Sequence, residues 1–346
     1  MKKLLCCMFC LLLAFPLFGC GNKNSTTQGN IVYTYNSKTE SYYVSDTSSS
    51  KITSATIAAQ IKGKAVVGIA ASAFEGCSQM TKITIPAGIL TIDKTAFKNC
   101  IALKEITLPE TLTALGDYCF ENCKALEVVN FSNSISTIPA YCFYKCAKIE
   151  TVILPDSVET ISSGAFSSCT ALKNITLSQN LKTIEHSSFD KCSALKKVET
   201  PNSVKTINNY AFKDCTSLAE VTLSSSLTSI PYMCFENCTS LKQIKIPKQV
   251  TVIGKRSFYG CTNLTYVHVP KTLKTIEDSA FGYEKKHVAM NYFYEGTQAQ
   301  WEQITIKTGN PHLNKKTATL VFENYEGNIK PNDNNTTTGD GTIIIT

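Results

Sequence analysis

Hydrophobic residues recur along most of the chain at a fixed spacing. Phenylalanine occurs every 23 residues from Phe74 to Phe281. Between successive phenylalanines, apolar residues at i, i+3 and i+5 alternate with polar ones, as at Leu103, Ile106 and Leu108. This alternation predicts a short strand with one buried face. A fixed period of roughly 20 to 29 residues with such a triad is typical of a solenoid in which each repeat forms one coil.

The rest of each coil follows from the same pattern. Proline after the strand, as at Pro109, cannot donate the next ladder hydrogen bond and ends the strand. Leu112 and Leu115 are predicted to return to the interior, and the stretch that ends at Phe120 and Cys123 is predicted to be irregular or a single helical turn. Because the phenylalanines keep one phase, we expect ten stacked rings to form the spine of the fold.

Cysteine keeps the same period as phenylalanine, from Cys77 to Cys261. A residue at one phase of every coil points the same way each time, so these thiols form an internal column. A zinc site needs four converging ligands, whereas the column spaces its thiols at roughly 4.8 Å per coil, which favours small apolar filler. Disulfides stay open, because an exported chain meets oxidising conditions. A Cys119–Cys142 bridge between adjacent coils also stays open, although that column holds Cys234 and otherwise only alanine and serine.

The N-terminus, MKKLLCCMFCLLLAFPLFGC, combines two lysines with an apolar stretch and ends at Cys20. This pattern predicts an export signal. It resembles a bacterial lipoprotein signal, in which Cys20 becomes the acylated first residue. Ordinary cleavage or a coincidental cysteine is the alternative, because Phe18 is bulky for this position. Loss of Lys2 and Lys3 with the signal lowers the formal net charge from +7 to +5, with no basic block, which gives no indication of nucleic-acid binding.

Changes in composition divide the chain into six predicted segments. The segments are a signal peptide over 1–19, a flexible tether over 20–30, a β-hairpin cap over 31–56, repeats over 57–283, a C-terminal cap over 284–326 and a low-complexity tail over 327–346. Tyrosines and valines on both sides of a polar turn predict the hairpin. The C-terminal cap is predicted to hold a short helix around Trp301 and one or two closing strands. Solenoids need such caps to cover their open ends.

The repeated unit L-x-x-I-x-I-P-x-x-L-x-x-I-x-x-x-A-F-x-x-C, over about 57–281, resembles the BspA-like class of leucine-rich repeat. The resemblance implies an α/β repeat fold: a right-handed leucine-rich-repeat solenoid with a parallel β-sheet on its concave face and short helical or irregular convex segments. It also implies a bacterial cell-surface protein, with adhesion to host matrix proteins or other cells in some members. Common leucine-rich repeats carry a buried asparagine after the strand. This chain has a mixture that includes Thr111, Ser134 and Asn180, so we expect a mixed side-chain ladder there.

Motifs typical of enzymes are missing from the sequence. The four histidines, His186, His268, His287 and His312, lie in different coils or caps, and no H-E-x-x-H, G-x-S-x-G, Walker or dinucleotide pattern occurs. We therefore expect no catalysis, no cofactor and no metal site. Acidic residues and serines fall at surface phases of the repeat, where a solvated face explains them.

A binding module remains as the predicted function, with a structural envelope stalk that recognises no specific ligand as the alternative. The residues that discriminate between them are those that point outward from the strands. Threonine at these positions is a good strand former, whereas charged and aromatic residues indicate a contact surface. The candidate binding face comprises Lys196, Lys197, Glu199, Lys242, Lys245, Tyr266 and His268. The expected partner is a protein or cell-surface ligand, including extracellular matrix, with attachment to the membrane through Cys20.

Overall fold

The structure is a computed structural model that describes residues 24–282, 290–310 and 313, together with the backbone of 319–322, 336–337 and 343–344. Its central part is a solenoid of parallel strands with a repeat of 23 residues, as the sequence predicts. Each regular coil contributes two short strands and one segment of turns, which lie on three sides of a continuous interior.

The first side carries strands that we call series A. Most are three residues long, and the middle residue points into the interior. Strands of this series pair in register in sets of two to four, so that Val152 lies opposite Ile175 and Val198 opposite Val221. The ladder is interrupted between these sets, for example between Glu220–Thr222 and Gln243–Lys245. The series A strands are Ser54–Thr56, Lys82–Thr84, Glu105–Thr107, Val128–Asn130, Thr151–Ile153, Asn174–Thr176, Lys197–Glu199, Glu220–Thr222, Gln243–Lys245, Tyr266–Val269, Asn291–Tyr294 and Thr319–Phe322.

The second side carries shorter strands, which we call series B. The second residue of the pair is usually an isoleucine that enters the interior, as at Ile161 and Ile184. The series B strands are Lys64–Ile69, Thr91–Ile92, Ala114–Leu115, Thr137–Ile138, Thr160–Ile161, Thr183–Ile184, Thr206–Ile207, Ser229–Ile230, Val252–Ile253, Thr275–Ile276 and Thr305–Ile306. Between the two series, Leu112 is buried and Leu115 half-buried.

The third side consists of consecutive turns rather than helix. Along each turn segment, backbone N–H groups donate alternately to a carbonyl of the same coil and to a carbonyl of the next coil. Phe97 N–H donates to the Cys119 carbonyl at 2.8 Å, whereas Cys100 N–H donates to the Phe97 carbonyl at 3.1 Å. Two residues of each turn adopt positive φ, for example Thr95 at 56° and Asn99 at 62°. These segments, predicted as short helical or irregular convex segments, are therefore irregular turns. Their backbone groups form hydrogen bonds both within the coil and to the neighbouring coils.

The interior is built around the ten phenylalanines. All are buried, and adjacent rings stack at centroid distances from 5.1 to 5.5 Å with interplanar angles of 8° or less. The prediction of a phenylalanine spine is confirmed. Each buried ring contributes on the order of 1.5–3 kcal/mol before conformational entropy is subtracted.

The cysteine column lies beside the phenylalanines and has a hydrogen-bonding role as well as a packing one. The Cys169 thiol donates to the Phe143 carbonyl at 3.1 Å, and the same contact recurs at 3.1 to 3.2 Å from Cys100 to Cys261. At the first coil, Cys77 instead lies 3.8 Å from the Thr47 hydroxyl. The thiol therefore links each coil to the preceding one.

Side chains after the series A strands form the expected mixed ladder. Thr111 Oγ1 donates to the Ile89 carbonyl at 2.8 Å, Ser134 Oγ to the Glu110 carbonyl at 2.9 Å, and Asn180 Nδ2 to the Asp156 carbonyl at 2.9 Å. The ladder is incomplete, because the buried hydroxyls of Ser157 and Ser203 have no hydrogen-bond partner among the described residues.

An antiparallel sheet covers the N-terminal end of the solenoid. It comprises Ser25–Gln28, Ile31–Asn36 and Ser41–Thr47, and its last strand pairs in parallel with Lys64–Ile69. A further short strand, Gln60–Ile61, pairs with the start of Lys64–Ile69. The hairpin expected over 31–56 is present as two of these strands. Ser25–Gln28 lies within the stretch predicted as a flexible tether and is instead a strand, because its backbone pairs with Ile31–Asn36.

The C-terminal end is closed by the single helix of the described residues, Gln298–Glu302, and by the last strands of both series. Thr297 caps the helix, since its hydroxyl accepts from Gln300 N–H while the Gln300 side chain accepts from Thr297 N–H. Trp301 is buried and packs against Tyr294 at 5.2 Å. Asn310 ties this cap to the last coil, accepting from Phe281 N–H at 3.0 Å. Short strands Thr336–Thr337 and Ile343–Ile344 pair antiparallel in the predicted tail.

Candidate binding face

Series A presents a regular outer surface. In each three-residue strand the first and third side chains point outward, and the middle one is buried or half-buried. Because the strands pair in register, the outward residues form two columns that run along the solenoid. Within each paired set the ladder hydrogen bonds use the strand backbone, so side chains are the main groups through which this surface can recognise a partner.

The predicted residues of the candidate face lie on or directly before three of four consecutive series A strands. Lys196, Lys197 and Glu199 belong to the first strand of this group, and Lys242 and Lys245 to the third. Strand Glu220–Thr222 lies between them. The fourth strand carries Tyr266 and His268. The structure therefore separates the predicted set into two parts.

The first part is a neutralised charge cluster. Lys197 Nζ lies 2.7 Å from Glu199 Oε1 and 3.6 Å from Glu220 Oε2 of the next coil. The hydrogen bond to Glu199, supported by the nearby Glu220 carboxylate, raises the pKa of Lys197. All three side chains are exposed, so the ion pairs add little stability. Lys197 is thus surrounded by carboxylates instead of presenting an isolated positive charge.

The second part combines a lysine with aromatic rings. Lys245 lies opposite His268 in the parallel ladder, and His268 lies opposite Phe293. The His268 and Phe293 rings stack at 4.9 Å, and the Tyr266 and Phe293 rings at 5.9 Å. Tyr266 is 44% exposed. Among the described residues, no carboxylate lies within ion-pairing distance of Lys245.

The cysteines of the described residues do not form a chemical site. All twelve cysteines of the described ranges are free and buried, including Cys119 and Cys142. Burial raises the pKa of the Cys261 thiol to about 12 and raises the pKa of Cys169 well above its ordinary value. A neutral buried thiol is a poor nucleophile and a poor metal ligand. Within the same ranges, no group of His, Cys, Asp and Glu side chains is arranged to hold a metal ion.

Three residues named in the sequence analysis are not placed by the structure. Cys20, His287 and His312 lie outside the described residues. Across the described part of the chain, no helix combines the length and the apolarity that crossing a bilayer requires.

Comparison with known proteins identifies the repeat. A family described as BspA type Leucine rich repeat region matches residues 67–196 and 160–288, with 6 copies of the repeat. These ranges together cover more than half of the chain. The chain belongs to the BspA-type leucine-rich repeat family.

Several solved structures resemble this BspA-type chain. A leucine-rich cell surface protein from Faecalibacterium prausnitzii is 22% identical with a TM-score of 0.44, and the match covers 83% of this chain and 99% of that one. The T. pallidum leucine-rich repeat protein is 24% identical with a TM-score of 0.50, covering 62% and 90%. The pneumococcal vaccine antigen PcpA is 19% identical with a TM-score of 0.44, covering 83% and 97%. No curated protein matches the chain.

The BspA-type repeat pattern leads directly to most outward residues, but it misses Phe293. The 23-residue step from His268 leads to Asn291, whereas the residue paired with His268 is Phe293. The signal in the sequence was the alternation NYFY at 291–294, in which a phenylalanine separates two buried tyrosines. The pattern also gave no weight to Val128 and Ile153, which are 45% and 67% exposed on series A and form an apolar part of the face.

Proposed function

We propose that this BspA-type protein is a lipid-anchored binding protein of the bacterial cell surface, which presents its series A face to a protein partner. The observation that supports the proposal is the two-column array of outward side chains on a backbone already ordered by ladder bonds. Such a preformed surface loses little conformational entropy on binding. The name of the similar Faecalibacterium prausnitzii structure, a cell surface protein, agrees with this location.

The composition of the face favours protein contact over a passive stalk. Ile153 is 67% exposed and Tyr266 is 44% exposed, although both belong to strands whose remaining apolar residues are buried. Exposed aromatic and aliphatic residues within a polar surround are typical of protein interfaces. A stalk without a ligand has no need for them. The curvature that would make this face concave is a prediction from the family resemblance.

Lipid attachment is the second element of the proposal. Cys20 ends an apolar stretch that resembles a lipoprotein signal, and the first described strand begins a few residues later, at Ser25. A lipid on Cys20 would hold the solenoid at the membrane by its N-terminal end. Labelled fatty acid should be incorporated into the natural chain and not into Cys20→Ala. Equal labelling of both proteins would exclude this anchor.

Binding is tested with the soluble chain that begins after Cys20. It is incubated with a panel of matrix proteins and of neighbouring bacterial cells, alongside Ile153→Glu and Lys245→Glu. The matched control is Lys255→Glu, because Lys255 is an equally charged, exposed lysine of the same coil that lies on the turn side. We expect both series A variants to weaken binding and the control to leave it unchanged.

Two results would count against the proposal. Weaker binding by Lys255→Glu with no effect of the series A variants would assign recognition to the turn side. A lack of binding across the whole panel would favour the envelope stalk. Circular dichroism of each variant establishes that a loss of binding does not come from a loss of folding.

A further inference from the structure

Lysines gather where two late coils pass from series A to series B. Lys245 ends a series A strand, and Lys248 lies on the connection that follows it. In the next coil the connection carries Lys271 and Lys274, and all four side chains are exposed. The two connections are held side by side, because Thr272 Oγ1 donates to the Lys248 carbonyl at 2.7 Å and Lys274 N–H donates to the Thr251 carbonyl at 2.8 Å. We call Lys245, Lys248 and Lys274 the basic corner.

The chain segment that carries the basic corner contains no carboxylate of its own. The stretch 241–276 contains no aspartate or glutamate. The preceding coil places Thr222, Ser225 and Thr228 at the equivalent positions. The next acidic residue along the chain, Glu277, is 2.7 Å from Lys307 and is therefore occupied. Within the described residues, Lys245, Lys248 and Lys274 have no carboxylate at ion-pairing distance.

Several lysines elsewhere on the solenoid are ion-paired instead. Lys148, Lys173 and Lys182 each pair with a glutamate of the preceding coil, at 3.7, 2.8 and 2.6 Å. In such a pair the glutamate cancels most of the electric field of the lysine, so the pair attracts a distant charge only weakly. The basic corner is therefore a local excess of positive charge, which acts on a partner over about a Debye length, ~8 Å at physiological ionic strength.

An aromatic cluster of Tyr266, His268 and Phe293 lies beside the basic corner and indicates which partner side chains fit there. Phe293 stacks on both Tyr266 and His268, with interplanar angles of 25° and 16°. The free edges of the rings carry partial positive charge. An apolar or acidic side chain suits these edges.

We propose that the basic corner and the aromatic cluster together bind an acidic segment of a partner protein, with its carboxylates at the lysines and its apolar side chains at the rings. This inference rests on the proposed function of series A and specifies the chemistry of its partner. The corner lies near the C-terminal end of the solenoid, far along the axis from the N-terminal sheet. A membrane-attached chain would hold this surface away from its own anchor.

The experiment measures fluorescence anisotropy of a labelled glutamate-rich peptide that contains leucine, titrated with the soluble chain. Heparin and a lysine-rich peptide serve as parallel probes. The test variant carries Lys245→Gln, Lys248→Gln and Lys274→Gln. The matched control carries Lys148→Gln, Lys173→Gln and Lys182→Gln, which removes the same charge from three exposed, ion-paired lysines. Phe293→Ala tests the rings.

We expect the acidic peptide to bind, the test variant to weaken it on the order of tenfold at low salt, and the control to change it far less. The affinity of the natural chain should also fall as salt rises. Equal weakening by both triple variants would overturn the proposal, because net charge alone would then explain binding. Heparin binding through the same lysines, tighter than that of the peptide, would overturn the assignment to a protein partner.

The two proposals fail in different ways. If a partner from the matrix or cell panel depends on Ile153 and not on the basic corner, series A remains the binding face and only the acidic-segment inference is wrong. If acidic peptide binds at the corner while no protein of the panel binds anywhere, the proposed function loses its support although the corner keeps its anion preference.

Discussion

Replacement of Cys169 by alanine tests how the coils are held together. Cys169 lies in a central coil, its side chain is buried, and its thiol donates to the Phe143 carbonyl of the preceding coil at 3.1 Å. The substitution removes one sulfur atom and one hydrogen bond without adding volume. Because the same contact recurs along the column, the result applies to each equivalent cysteine from Cys100 to Cys261.

The expected loss follows from three contributions. Removal of one buried heavy atom costs about 0.8 kcal/mol in transfer free energy, and the small cavity adds to it. Loss of the hydrogen bond adds about 0.5 kcal/mol, the low end of its range, for two reasons. A thiol is a weak donor, and the Phe143 carbonyl still accepts from Cys146 N–H at 3.1 Å. We therefore expect Cys169→Ala to lower the free energy of unfolding by about 1–2 kcal/mol.

Urea denaturation under reducing conditions measures this loss. Circular dichroism reports on the coils, and the fluorescence of Trp301, the single tryptophan, reports on the C-terminal cap. Thr170→Ala, at the exposed neighbouring position, is the control and should change stability by less than about 0.5 kcal/mol. A loss for Cys169→Ala no larger than that of the control would refute the packing argument. A loss above about 4 kcal/mol would mean that the column does more than fill space and donate one weak bond.

Three other predictions concern the same interior. Phe166→Ala should cost about 3–5 kcal/mol in urea denaturation, because the ring stacks on both neighbours at 5.4 and 5.5 Å; a loss equal to that of Cys169→Ala would contradict the spine. Gly164→Ala should destabilise by more than about 1 kcal/mol and displace Tyr141, since φ is +64° and the new Cβ would lie 2.4 Å from the ring; an unchanged melting temperature would contradict this. Burial raises the pKa values of the column thiols, so the unfolded chain ionises first above about pH 8.5 and stability should fall as pH rises further. A constant melting temperature from neutral pH to about pH 10 would show that the thiols are not protected.

The periodicity of the sequence was sufficient to predict the arrangement of the interior. A residue at a constant phase of a 23-residue coil can only stack on its equivalents, so the phenylalanine spine and the internal position of Cys169 followed from spacing alone. The hydrogen bond of the thiol did not follow, because it depends on where the preceding coil places its carbonyl. The positive φ of Thr95 also carries no clear sequence signal, since threonine rarely adopts it.

The candidate face was harder to predict than the interior. The position of each residue within the 23-residue repeat identified Lys197, Lys245 and His268 as outward residues, and the structure agrees. Phase could not show that Glu220 of the next coil neutralises Lys197, because ion pairing depends on side-chain geometry across coils. It also failed at Phe293, where the C-terminal cap shifts the register and the 23-residue step no longer applies.

The alternating bonds of the turn segments have an evolutionary consequence. Each coil donates N–H groups to carbonyls of the following coil and offers the equivalent carbonyls to the preceding coil, as the bonds from Phe74 N–H to the Ala96 carbonyl and from Phe97 N–H to the Cys119 carbonyl illustrate. A gain or loss of a complete repeat therefore rejoins two compatible surfaces, whereas a change of any other length would misalign the phenylalanines. Duplication and deletion can thus alter the length of series A and the order of its outward residues while the interior is conserved. The protein can change what it recognises at little cost to its ability to fold.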